Sequence, residues 1–86
     1  MDKPILHVYG TLWCSDCLRT RFFLRRHKVA YRWIDIDEDA AGERLVLSTN
    51  HGMRNVPTLI FPDDAVLVEP SDDQLPALHS FSHNYP

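Results

Sequence analysis

The sequence predicts an α/β protein: a four-stranded mixed sheet with three flanking helices, in the order strand, helix, strand, helix, strand, strand, helix. Three observations point to it. Short β-branched and aromatic runs alternate with longer helical stretches through the first half of the chain. Two apolar runs in the second half are separated by the turn residues Pro62-Asp63-Asp64 and so form a hairpin. A Ser-x-x-Gln pattern at Ser71 then opens a last helix.

Each element has its own justification. Ile5-Leu6-His7-Val8-Tyr9 is β-branched and aromatic, and Gly10-Thr11 ends it, which makes a strand followed by a loop. From about residue 16 to 28 there is no Gly or Pro, and Leu18, Phe22 and either Phe23 or Arg25 recur at helical spacing. Asp16 in the first turn and Arg25, Arg26 and Lys28 in the last complement the helix dipole. Residues 29–36, with Tyr31, Trp33 and Ile34, form the second strand. Asp37-Glu38-Asp39 starts a helix through Leu47, and Asn50-His51-Gly52 closes it, as a C-terminal glycine commonly does. Residues 56–61 and 65–69 are the third and fourth strands. The last helix runs from Ser71 towards Phe81, with Pro76 shortening or kinking it, and 81–86 is a fraying tail of a single domain spanning 1–86. The first two strands, joined through a helix, are parallel, and the last two are antiparallel. Tyr9, Phe22, Phe23, Trp33 and Phe61 are assigned to the core.

Composition bounds the function. Apolar residues at 44% and charged residues at 24% are ordinary for a globular chain, and a net charge of −3 gives no electrostatic reason to expect nucleic acid or an anionic membrane as partner. The basic group Arg19, Arg21, Arg25, Arg26, His27 and Lys28 reads as a solvated helix face, with a partner-binding patch as the alternative. No segment approaches the roughly 18 continuous apolar residues of a membrane span. Met1-Asp2-Lys3-Pro4 lacks the pattern of a secretory signal, so a cytoplasmic protein is expected, taken as a monomer.

Two cysteines in one Cys-x-x-Cys, Cys14-Ser15-Asp16-Cys17, are not a structural disulfide framework. So short a loop removes little unfolded-state entropy when cross-linked, and in a reducing compartment such a pair is catalytic or metal-binding. Cys14 falls after the first strand and Cys17 in the first turn of the next helix. Unpaired N–H groups and the positive helix end stabilise a thiolate at such a place. Cys17, one turn in, is expected to be more buried and to keep its proton until it resolves a mixed disulfide. A closed zinc site needs four ligands, and His7, His27, His51, His79 and His83 are scattered without ligand spacing. No intrachain metal is expected; a metal or cluster shared between two copies stays open. Asp16 disfavours a neighbouring thiolate while Arg19 and Arg21 favour one at longer range.

The strand and helix order is that of a thioredoxin-like fold, and Trp13-Cys14-Ser15-Asp16-Cys17, Asn55-Val56-Pro57-Thr58 and Glu69-Pro70-Ser71 together resemble a glutaredoxin over nearly the whole chain. Within that family the sequence is similar to the mycoredoxin-like, actinobacterial branch, with its Trp before the first cysteine and Pro-Ser in the third motif. The resemblance implies Cys14 as nucleophile and Cys17 as resolving cysteine. It implies a cis Val56-Pro57 pair whose backbone holds the thiol, and Ser71 and Asp72 as the helix cap that binds the γ-glutamyl end of glutathione. Three departures stand out: Glu69-Pro70 replaces the usual Gly-Gly, Thr11 replaces a basic residue, and Ser15 and Asp16 replace Pro and Tyr. Arg54 is left as the cation beside the Val-Pro turn, or as a solvated loop residue. Trp13 either packs under the loop or presents a flat surface to substrates.

The expected function is therefore reduction of mixed disulfides between proteins and a low-molecular-weight thiol, with mycothiol favoured over glutathione as co-substrate and no tightly bound cofactor. The protein substrates would be disulfide-containing or S-thiolated. Two rivals remain: a protein-disulfide reductase recharged by thioredoxin reductase, and a dimeric metal or iron–sulfur carrier.

Overall fold

The computed structural model describes residues 5–71 and 73–76. The elements are β1 (Leu6–Gly10), α1 (Ser15–Arg26), β2 (Tyr31–Asp35), α2 (Ala40–Thr49), β3 (Thr58–Ile60) and β4 (Val66–Val68). They form one four-stranded sheet in the order β2-β1-β3-β4. β1 and β2 pair in parallel, with Gly10 opposite Asp35, and β3 runs antiparallel to both β1 and β4. The mixed sheet and its hairpin match the expected topology.

Because strand side chains alternate between faces, the sheet carries two apolar layers. Leu6, Val8 and Leu59 pack with Leu24 of α1, Val29 and Leu75, and Phe23, Tyr31, Trp33, Phe61 and Leu67 lie against them. Tyr9 and Ile36 pack with Val46 of α2, against Ile34, Val56 and Ile60. The sequence-assigned core residue Phe22 is a correction: it is 59% exposed, and Leu18 beside it on the same helical stripe is 60% exposed. The buried face of α1 is Cys17, Thr20 and Leu24 instead. Apolar spacing alone located the helix but not its buried side, which the sheet selects.

Helix boundaries follow from local chemistry. The Asp39 side chain caps α2 by accepting the Gly42 N–H at 2.9 Å. Lys28 (φ 57°) turns the chain out of α1 earlier than the expected residue 28, and His51 (φ 57°) and Gly52 (φ 87°) end α2 as anticipated. Among the described residues there are two helices, not the expected three. At the start of the third, the Ser71 N–H donates to Gln74 Oε1 at 2.9 Å, one arm of the anticipated capping box. Asp72 and the stretch 77–86, where the helix body and the fraying tail were expected, lie outside the described residues. Among the described residues no helix is long and apolar enough to cross a membrane.

Candidate active site

The parallel β1–α1 unit sets the first half of the site. Cys14 is the N-cap of α1, and its Sγ accepts the Cys17 N–H at 3.1 Å, which satisfies one of the amide donors left open at a helix start. A sulfur placed there faces the positive end of the helix. Cys14 is partly exposed, whereas Cys17 is 1% exposed; both are free thiols. Burial, helped by the hydrogen bond and charge of Cys14, pushes the Cys17 thiol up to about 12, against a smaller opposing backbone contact from Thr11. The two sulfurs are chemically unequal.

The second half comes from the loop before β3. Val56-Pro57 is cis, and the Cys14 thiol lies 3.8 Å from the Val56 carbonyl. The loop is held from behind. Buried Thr58 donates its hydroxyl to the Asn55 carbonyl at 2.7 Å and receives Asn50 Nδ2 at 3.1 Å. Further along, the Glu69 N–H donates to the Pro57 carbonyl at 2.8 Å, and Arg19 of α1 donates to the Pro70 carbonyl at 3.2 Å. Thus the three sequence motifs converge: Cys14 meets Val56 directly, and Ser71 follows a residue tied to α1. Glu69 itself adopts the left-handed backbone (φ 47°) that glycine takes freely.

Trp13 and Arg54 meet through a residue the sequence did not single out. Trp13 is 72% exposed, so it presents its ring to solvent rather than packing under the loop. Its Nε1 donates to Asp37 Oδ2 at 2.9 Å. Arg54 pairs with the other oxygen of Asp37 and, at 2.9 Å, with Glu43 Oε2. Arg54 is thus an exposed loop residue whose guanidinium is paired with two carboxylates. Arg54 first, and the Trp13 hydrogen bond second, hold the Asp37 carboxyl below its usual range. Asp16 is likewise paired, with Arg19 at 3.3 Å, and Thr11, where a basic residue was looked for, is buried.

A glutaredoxin family model matches residues 6–66, which include both cysteines, the cis-Pro loop and the start of β4. The chain belongs to the glutaredoxin family. It is 40% identical over 77 residues to a Mycobacterium tuberculosis protein named "Putative glutaredoxin Rv3198A", a match covering 90% of this chain and 92% of that one. Its structure is similar to the thioredoxin-like protein BC3987 (TM-score 0.70, 29% identity, 85% of this chain and 97% of that chain). The fold is also that of a buckwheat glutaredoxin solved with glutathione (TM-score 0.69, 18% identity, 96% and 83% covered). The glutaredoxin has a thioredoxin-like fold and is a thiol–disulfide oxidoreductase of a family that uses glutathione-like thiols as co-substrate.

Reading the sequence of this glutaredoxin missed Asp37, Glu43 and Gly10 as neighbours of the site. A signal existed for Asp37. Once β1 and β2 are paired with Gly10 opposite Asp35, Asp37 must come level with the loop that carries Trp13. Among the described residues no group of three or more His, Cys, Asp or Glu side chains is placed to hold a metal ion.

The raised Cys17 gives a pH prediction. Below its pKa the thiolate fraction rises tenfold per pH unit, so any step in which Cys17 attacks is expected to accelerate about tenfold from pH 7 to pH 8. Rapid-mixing kinetics on the Cys14-thiolated protein measures this, and a pH-independent step would show that Cys17 is already ionised. Stability has the opposite slope. The unfolded thiol ionises near its ordinary value of about 8.5 while the folded one stays protonated, so the reduced protein is fully stabilised below that pH and loses stability as pH rises towards 12.

Proposed function

We propose that this glutaredoxin reduces mixed disulfides between proteins and a low-molecular-weight thiol through Cys14, with Cys17 as the resolving thiol. The observation that carries the reading is the asymmetric pair: a partly exposed sulfur at a helix N-cap beside the Val56 carbonyl that precedes the cis-proline, and a buried, protonated one a turn behind it. Cys14 thiolate attacks the small-thiol sulfur of the mixed disulfide. The S–S bond breaks, and the protein leaves as a thiolate that takes a proton from water. The new disulfide on Cys14 is opened by a second small thiolate, which restores Cys14. Otherwise deprotonated Cys17 attacks it, expels the small thiol and forms a Cys14–Cys17 disulfide for an external two-electron reductant.

For the small thiol, mycothiol is the reading we favour over glutathione. Binding a carboxylate-bearing peptide needs open cations, and Arg54 is committed to two carboxylates while Thr11 replaces a basic residue. At the Ser71 cap, where Asp72 was expected to assist, the Ser71 N–H already serves Gln74. Substrates would be S-thiolated or disulfide-containing proteins of the cytoplasm. A second reading, a protein-disulfide reductase recharged by thioredoxin reductase, is favoured by a different observation. Leu12, Trp13 and Leu18, all within four residues of Cys14, are at least 60% exposed, an apolar surface suited to a protein partner.

Reconstitution separates them. The purified protein and an S-thiolated substrate are supplied with NADPH and one of three systems: mycothiol with its reductase, glutathione with glutathione reductase, or thioredoxin reductase alone. NADPH consumption is expected to be fastest with mycothiol. Equal or faster turnover with glutathione would overturn the thiol assignment, and turnover with thioredoxin reductase alone would establish the second reading.

A further inference from the structure

Asp37 lies outside all three sequence motifs, yet it ties Trp13 of the first to Arg54, the residue just before the second. Its position is fixed from its own backbone: the Asp37 N–H donates to Asp35 Oδ1 at 2.9 Å, and Glu38 and Asp39 N–H groups both donate to the Asp35 carbonyl, at 3.1 and 2.9 Å. A turn so tied, directly after the parallel strand β2, cannot drift relative to β1. From it the carboxylate divides its oxygens. Oδ2 receives the indole N–H of Trp13, next to Cys14, and Oδ1 receives the Arg54 guanidinium, two residues before Val56. Glu43 of α2 holds the other side of that guanidinium.

The indole needs such an anchor. At 72% exposed it has little packing to fix its orientation, and a free tryptophan beside the nucleophile would sample several rotamers. Hydrogen bonds to a charged acceptor are stronger and shorter than neutral ones, so the Asp37 contact selects one. Arg54 in turn neutralises the carboxylate and connects the same anchor to the cis-Pro loop. We propose that Asp37 is a positioning residue that holds Trp13 as a fixed wall beside Cys14 and couples it, through Arg54, to the Val56-Pro57 side of the groove. It touches no reacting atom; it acts by keeping the bound thiol's neighbours in one arrangement. This rests on the proposed mixed-disulfide reaction at Cys14.

Two measurements test it. First, Trp13 emission is isolated as the difference between the protein and its Trp13→Phe variant, since Trp33 is common to both. In Asp37→Ala the Trp13 anisotropy is expected to fall and acrylamide quenching to rise, while Asp37→Asn, which keeps an acceptor for the indole, restores much of both. Second, Asp37→Ala is expected to raise KM for the mixed disulfide about three- to fivefold with kcat little changed, the size of an exposed charged contact. The same substitution made in Trp13→Phe should add much less, because the coupling is already gone. Additive effects of the two substitutions, or a Trp13 signal that Asp37→Ala leaves unchanged, would overturn the inference. Loss of the reading it rests on looks different: Cys14→Ser would then retain turnover, whatever Asp37 does.

Discussion

Cys14→Ser is expected to lower mixed-disulfide turnover by at least about a thousandfold, because a removed nucleophile leaves only binding and orientation behind. Cys17 cannot stand in for it. That sulfur is 1% exposed and its thiol is pushed up to about 12, so at neutral pH it is neither accessible nor ionised. The converse variant, Cys17→Ser, should keep the single-thiol route, with a second small thiol releasing Cys14, and lose the route through an internal disulfide. Cys17→Ser also removes the raised Cys17 thiol, so the part of the alkaline stability loss that begins near about pH 8.5 should disappear. Steady-state turnover with an S-thiolated protein and, separately, with a protein disulfide measures both routes. Activity surviving in Cys14→Ser would end the proposed mechanism; a dead but folded Cys17→Ser would confine the protein to the two-cysteine route.

The second large effect is at Gly10. Local preference alone says that alanine should help here, since glycine inside a strand is unfavourable by roughly 0.5–1 kcal/mol. Packing says the reverse. A Cβ on Gly10 would stand 2.6 Å from Cys17 Sγ and 2.7 Å from Trp33 Cη2, closer than real Cβ contacts allow. Neither neighbour yields easily. Cys17 is fixed in α1, and the Trp33 ring lies against the core with the Arg21 guanidinium over it at 4.2 Å. Overpacking typically costs about 1–3 kcal/mol, so the net is a loss of stability. Gly10→Ala is expected to lower the denaturation midpoint and to displace Cys17, slowing the internal resolving step more than the attack by Cys14. Trimming Trp33 to Leu in the same protein should recover part of the loss. A Gly10→Ala variant as stable as the parent would show that the strand end can shift to make room.

Legibility from sequence varies along the chain. The strands, α1, α2 and the hairpin were legible because β-branched runs, Gly-free stretches and turn residues act locally. Cys14 at a helix start was legible for the same reason. The cis Val56-Pro57 bond followed from the family resemblance rather than from composition. Phe22 was misplaced because Leu18 and Phe22 form a good apolar stripe; the sheet instead covers Cys17, Thr20 and Leu24. The expected third helix is not among the described elements, where the chain shows its capping contact at Ser71 and Gln74.

The Cys14-Ser15-Asp16-Cys17 motif, its place between a strand and a helix, and the unequal depth of its two sulfurs were determined by the sequence itself, since strand end, helix start and one helical turn are all local geometry. What surrounds the motif was decided only by tertiary structure. The register of β1 against β2 brings Asp37 to Trp13 across 24 residues, and the pairing of β3 with β1 carries the loop that brings Arg54 to Asp37 across 17. Charge pairing of this kind depends on distance in space, which no spacing along the chain encodes. For that reason the sequence leaves Arg54 open between a cation beside the Val-Pro turn and a solvated loop residue, and only the structure pairs it with two carboxylates.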